Sequence, residues 1–486
     1  MQRRGFFIDG AWHLPEGCET YALVNPATGE ALGETLLAGR DTVDRAVAAA
    51  ERAAPGFGAM HAAERAAILT RAAALIEARA EDMARLLTLE QGKPVSDNRK
   101  EILFGAEVLR YYAAEATRVW GSLRPASSPT IRNLVIWQPL GVTAAIVPWN
   151  YPIDLYCWKI GPAIAAGCPI VVKSPHETPL AIAMLVDCLH GAGLPAGTLA
   201  DLPGLGPVAG AALAEHPRVR LISATASVPA GQAIMRAAAG NLKRLSLELG
   251  GHAPFIVLPG ADLVAAARAA HRRAYSNMGQ ICITVNRILV HHSQRREFAH
   301  ILAGMAEETV IGDGLDPAVG YGPVQNIGVI ARTDRHVADA MAKGGKLLAG
   351  GHRVTTGDLG RGLFYRPTVI DEAPLTSLPM TEESFGPLAA IAGYQGIDDL
   401  LAIANGLDYG LAAYVWGDLE TAWALAERLE FGAVGVNVND TSELQAPFGG
   451  WKMSGFGREL GPEGLMTFLE QKHLKIRLRA PAIDPG

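Results

Sequence analysis

Between residues 142 and 251 short β-branched runs alternate regularly with helical stretches, and this constrains the fold more than any other feature. Residues 142–147 and 169–173 read as strands, and 178–191 as a helix. A strand at 198–202, a glycine-rich turn, a helix at 208–215 and a strand at 218–223 follow. A helix that starts with Ala226-Ser227-Val228-Pro229 and runs to about Ala239 leads into a strand at 244–249, closed by Gly250-Gly251. Strands separated by helical crossovers pair in parallel, so the pattern predicts a doubly wound sheet with its ligands at the carboxyl ends of the strands. A second α/β unit is expected from Phe255 to about residue 440, and 466–478 reads as a strand running into a tail. Upstream, the segment from Asn25 to Glu30 (Asn-Pro-Ala-Thr-Gly-Glu) is a turn between hairpin strands, and 42–120 is helical, with Val43, Val47, Ala50 and Ala54 on one face.

The bulk properties remove several function classes. A chain of 486 residues has room for two or three cores. A net charge of −6 argues against a nucleic-acid partner. No apolar run approaches the roughly 18 residues of a membrane span, and the apolar part of the start is too short for a signal peptide. A cytoplasmic protein is expected. The five cysteines (Cys18, Cys157, Cys168, Cys188 and Cys282) lack metal-ligand spacing, so neither a disulfide framework nor a metal is expected.

Four patterns then bring chemistry, in a fixed order. Pro148-Trp149-Asn150-Tyr151-Pro152 ends one strand, and Lys173-Ser174-Pro175-His176-Glu177 ends the next. Leu247-Glu248-Leu249-Gly250-Gly251 ends the last strand, and Asn277-Met278-Gly279-Gln280-Ile281-Cys282 lies in a loop after a helix. Cys282 in that loop can meet backbone amides that steady a thiolate or an oxyanion. Glu248 beside two glycines can face a cleft, Asn150 offers a neutral donor to a carbonyl oxygen, and Lys173 can hold a ribose or phosphate. Taken singly, each has an ordinary reading: a packing cysteine, a solvated strand end, a turn, an exposed lysine. Their joint appearance is what counts.

With Glu382-Glu383-Ser384-Phe385-Gly386-Pro387, Pro447-Phe448-Gly449-Gly450 and Gly457-Arg458-Glu459-Leu460-Gly461 added, the chain resembles the aldehyde dehydrogenase superfamily along its whole length. The resemblance implies an α/β fold: a Rossmann-like NAD(P)-binding domain (1–122 and 140–249), an α/β catalytic domain (250–465) and a small oligomerisation segment (123–139 with 466–486) that pairs subunits into a dimer or tetramer. It implies Cys282 as nucleophile, Glu248 as the base that activates water, Asn150 with the Cys282 amide as oxyanion hole, and Glu459 as proton-relay partner of Glu248. NAD or NADP would be held by Trp149, Lys173, His176, Ser227, Glu383 and Phe385. Tyr151, Asp154, Leu155, Trp158, Ser276, Ile281, Ile283, Ser442 and Phe448 would line the substrate tunnel.

Three stretches depart from the family pattern. Ala224-Thr225-Ala226-Ser227 stands where members usually have Phe-Thr-Gly-Ser, so a methyl replaces the glycine that lets the pyrophosphate approach. His176 stands where many NAD-using members carry a glutamate, which leaves NAD and NADP both open. The later motifs are similar to the succinate-semialdehyde dehydrogenase branch, yet Ser276 replaces its carboxylate-binding arginine. With no fixed cation evident in the tunnel, aliphatic or aromatic aldehydes are expected ahead of succinate semialdehyde. A CoA-acylating aldehyde dehydrogenase and a catalytically silent binding protein on the same fold remain as alternatives.

Overall fold

The computed structural model describes residues 2–479, so residues 480–486 of the expected oligomerisation tail lie outside the described residues. Two sheets organise the chain. The first runs, in spatial order, Gly455–Phe456, Arg244–Glu248, Leu221–Thr225, Thr143–Ile146, Ile170–Lys173, Leu199–Asp201, Phe6–Ile8 and Ala11–His13. Its five central strands are parallel, as the alternation predicts. The strand expected at 218–223 begins later, because Val219 N bonds His216 O in a turn around Pro217 and pairing starts only at Leu221.

The second sheet runs Lys346–Ala349, Thr368–Asp371, Leu388–Tyr394, Val285–His291, Ala253–Val257, Ala412–Trp416 and Ala433–Val436, parallel except at its first pair. The central strands of both sheets are almost wholly buried, as expected where helices cover both faces. Ser122–Arg124 and Ile131–Pro139 form a separate hairpin, and Leu469–Arg477 pairs antiparallel along the full length of its second strand. The Asn25–Glu30 turn closes the hairpin Thr20–Val24 and Ala31–Leu36, with Asn25 N bonded to Glu30 O.

One helix matters most for the site. Pro152–Ala166 has proline in its first turn, which needs no amide partner there, and ends where Gly167 turns left-handed at φ 83°. Every residue in it is buried. A helix apolar on all sides belongs inside a protein, and the two charged groups it carries into the core, Asp154 and Lys159, each require an account.

Candidate active site

The loop that carries Cys282 is locally strained. The helix Leu263–Tyr275 runs into a single turn, Ser276–Gly279, in which Asn277 and Met278 hold left-handed φ values of 46° and 53°. Gly279 is left-handed too, and a Cβ on it would meet Gly386 O at 2.1 Å. Asn277 is held by donating to Asn150 O at 2.9 Å, and Gln280 by donating to Asn277 O at 2.9 Å. Such strain persists only where surrounding bonds over-determine it, and here it turns Cys282 toward a cavity of about 990 Å³.

Asn150, Tyr151, Asp154, Leu155, Trp158, Glu248, Ser276, Ile281, Ile283, Ser442, Phe448 and Glu459 line that cavity together with Cys282. The structure thus brings every proposed catalytic and substrate residue to one space. Asn150 Nδ2 donates one hydrogen to Gln280 O at 3.0 Å and has a second to offer. Burial, with the charges of Glu383 and Glu248, pushes the Cys282 thiol up to about 12, while Arg273 and the residue's own backbone N–H act the other way.

Glu248 is buried, and neither carboxylate oxygen has a hydrogen-bond partner. Burial first, and the charge of Glu459 second, raise its pKa well above the ordinary carboxylate range. Glu459 is differently placed: its Oε1 accepts from Lys159 Nζ at 2.8 Å and Ser223 Oγ at 3.0 Å, while Oε2 is unpartnered. Lys159 also donates to Thr225 Oγ1 at 2.7 Å. The link between the two glutamates is therefore their repulsion, not a direct hydrogen bond.

The proposed cofactor residues lie elsewhere, beyond the carboxyl ends of the parallel strands of the first sheet. Lys173 ends one strand and is buried, with burial lowering its pKa. His176 Nδ1 lies 3.3 Å from Glu177, its ring meets Tyr21 edge-on, and burial lowers its pKa, so it is a neutral polar group. Ser227 takes the expected position before the helix Val228–Ala238, but its side chain makes no capping bond. Glu383 accepts from Gly251 N at 3.0 Å, and a Cβ on Gly250 would meet Glu383 Oε2 at 2.5 Å, so glycine leaves room for that carboxylate where it lies. Trp149 and Phe385 pack edge to face with centroids 5.8 Å apart. The buried Lys173 at a strand end and the glycine-lined Glu383 carboxylate fit the phosphates and ribose hydroxyls of a dinucleotide.

One expectation is overturned. The tunnel does contain a fixed cation: Arg273 is buried and lines it, and the exposed Lys100 and Arg272 line it too. Arg273 sits three residues before Ser276, one helical turn back, so its side chain reaches the wall that Ser276 shares. Its Nη2 is 2.7 Å from Asp440 and its Nε donates to Asn439 O. The spacing from Ser276 was a usable signal. Lys159 was legible as well, as the one basic residue of the Pro152–Ala166 helix. Lys93 and Glu101, a buried ion pair whose ammonium also lies 3.9 Å over the Tyr151 ring, gave no local signal.

The family model described as "Aldehyde dehydrogenase family" matches residues 12–474. The chain is 39% identical to glutarate-semialdehyde dehydrogenase of Pseudomonas putida over 98% of both chains. It is also 39% identical to an NADP(+) succinate-semialdehyde dehydrogenase of Escherichia coli, again over 98% of both. A crystal structure of an NADP-dependent E. coli enzyme superposes with a TM-score of 0.95 at 39% identity, covering 98% of each chain. The chain belongs to the aldehyde dehydrogenase family, and it is an oxidoreductase that converts aldehydes to carboxylic acids with NAD or NADP.

Proposed function

We propose that Cys282 carries the acyl group as a thioester and that Glu248 activates the water that releases it. The carrying observation is a cysteine and a partnerless buried glutamate lining one cavity with Asn150. In this reading the Cys282 sulfur adds to the aldehyde carbon, with Arg273 the nearby cation that favours the thiolate. Asn150 Nδ2 and the Cys282 amide receive the developing oxyanion. Trp149, Lys173, His176, Ser227, Glu383 and Phe385 would hold NAD(P)+, which would supply the acceptor for the hydride leaving the aldehyde carbon. Glu248 then takes a proton from water as the water attacks the thioester. A buried base beside the cysteine suits water, not CoA thiol, as acyl acceptor.

For the substrate we propose uncharged aliphatic or aromatic aldehydes. Leu103, Phe104, Tyr151, Trp158, Ile283 and Phe448 give the wall its apolar area. Two of its cations are already matched, Lys100 by Asp97 at 2.8 Å and Arg273 by Asp440. A second reading rests on Arg273. Asp440 is 60% exposed, so it can swing out and yield the guanidinium to a substrate carboxylate of the kind named in the relatives. We further propose three modules, the first sheet with its helices for the cofactor, the second for catalysis and the hairpin with the last strand for oligomerisation into a dimer or tetramer, and a cytoplasmic location. Among the described residues no helix is long and apolar enough to cross a membrane.

Cys282→Ala tests the central assignment. It is expected to abolish aldehyde oxidation while cofactor binding and the thermal transition persist. Substantial turnover in that variant would place the thioester elsewhere.

A further inference from the structure

Asp154 is a buried carboxyl on the cavity wall that neither folding nor the reaction explains. It sits on the Pro152–Ala166 helix with Tyr151, Leu155 and Trp158, the i, i+3, i+4, i+7 face that looks into the cavity. Its side chain is about nine-tenths buried, and its Oδ1 has no hydrogen-bond partner. Its neighbours are occupied. Lys93, whose charge acts on it, pairs with Glu101. Glu101 Oε1 in turn accepts from Ile153 N at 2.9 Å and Asp154 N at 3.3 Å, tying down the start of the helix. A buried polar atom without a partner destabilises the fold, so an unsatisfied carboxyl on a residue that lines the cavity is one that a ligand entering there can satisfy.

The surroundings select the ligand group. Glu101, Asp440 and Glu107 all act on Asp154, and burial together with Glu101 drives it toward its neutral form. A substrate carboxylate would meet this acidic surface, and an ammonium would need an ionised partner that burial disfavours. A neutral carboxyl both donates and accepts, and a hydroxyl is its complement. We propose that Asp154 is a specificity-determining residue whose carboxyl hydrogen-bonds a hydroxyl on the chain of the aldehyde. This rests on the Cys282 reading of the cavity. Asp154 shares the cavity wall with Asn150 and Cys282, so the hydroxyl it binds belongs to the same substrate whose carbonyl meets Cys282.

The test compares kcat/KM within matched pairs: 6-hydroxyhexanal against hexanal, and 4-(hydroxymethyl)benzaldehyde against 4-methylbenzaldehyde. Both members of a pair meet the same folded enzyme, so a general loss of activity cancels in the ratio. The wild-type enzyme is expected to favour the hydroxylated member of at least one pair by about tenfold or more. Asp154→Asn, which keeps a donor and an acceptor, should retain most of that preference, and Asp154→Leu should bring the ratio to about one or below. Wild-type ratios near one in both pairs, or an unchanged preference in Asp154→Leu, would overturn the proposal while leaving the Cys282 reading intact. Oxidation of none of the four aldehydes would overturn that reading and the proposal with it.

Discussion

Two clusters of charge flank the cavity, and they share an arrangement: one lysine set among two carboxyls. In the first, Lys159 binds Glu459, and Glu248 is left without a partner. In the second, Lys93 binds Glu101, and Asp154 Oδ1 is left without one. In both, the stranded carboxyl faces the cavity and its pKa is driven well up, by burial first and by the paired carboxylate second. The difference lies in what holds the paired member. Glu459 is bound by side chains, Lys159 and Ser223, and keeps one oxygen open. Glu101 is bound to backbone at the start of a helix. The first arrangement leaves a proton somewhere to go; the second fixes a wall. A buried lysine here does not neutralise a site but chooses which of two acids stays reactive.

Glu248→Gln breaks the first cluster where its effect is largest. Steady-state turnover should fall by about 10²–10⁴, the usual contribution of a general base. In the wild-type enzyme the active form of Glu248 is the carboxylate, and its pKa is raised, so thioester hydrolysis should gain as pH rises through that pKa and fade below it. A pH–kcat profile checks the sign. Next come the lysines. Lys159→Met and Lys93→Met each strand a buried carboxylate, a loss of about 3–5 kcal/mol where the partner charge stays in place. Denaturant unfolding of the two variants measures it, and a near-neutral Lys93→Met would show that the second cluster is not built as described. Smaller still is Arg273→Gln. On uncharged aldehydes kcat/KM should change by only a few-fold, through the thiolate it favours at Cys282, whereas a loss above about a hundredfold confined to succinate semialdehyde would favour the carboxylate reading. The smallest effect is expected at Cys157, Cys168 and Cys188. Burial raises all three thiols, so they are inert packing groups, and their alanine variants should keep turnover with a Tm lowered by a few degrees.

Much of this was legible in the chain because strand and helix periods are local. Residues 142–147 and 244–249 needed no distant information to be read as buried parallel strands. The edges did: Phe6–Ile8 and Gly455–Phe456 join the same sheet from opposite ends of the sequence, and nothing near them announces it. The site divides the same way. Cys282, Glu248 and Asn150 sit in recognisable motifs at strand and loop ends, and the structure brings them together. Arg273 and Lys159 were readable from helical spacing. The Lys93–Glu101 pair was not, since an ion pair eight residues apart looks like solvated surface until the Pro152–Ala166 helix packs against it.

The account stands on where the acyl group rests. Glu248→Gln, mixed with an oxidisable aldehyde and NAD(P)+, should give about one NAD(P)H per active site and then stall, and the intact mass should rise by one acyl group. Peptide mapping should locate that acyl group on Cys282. A burst with the acyl group on another residue, or full steady-state turnover with no retained mass, would contradict it.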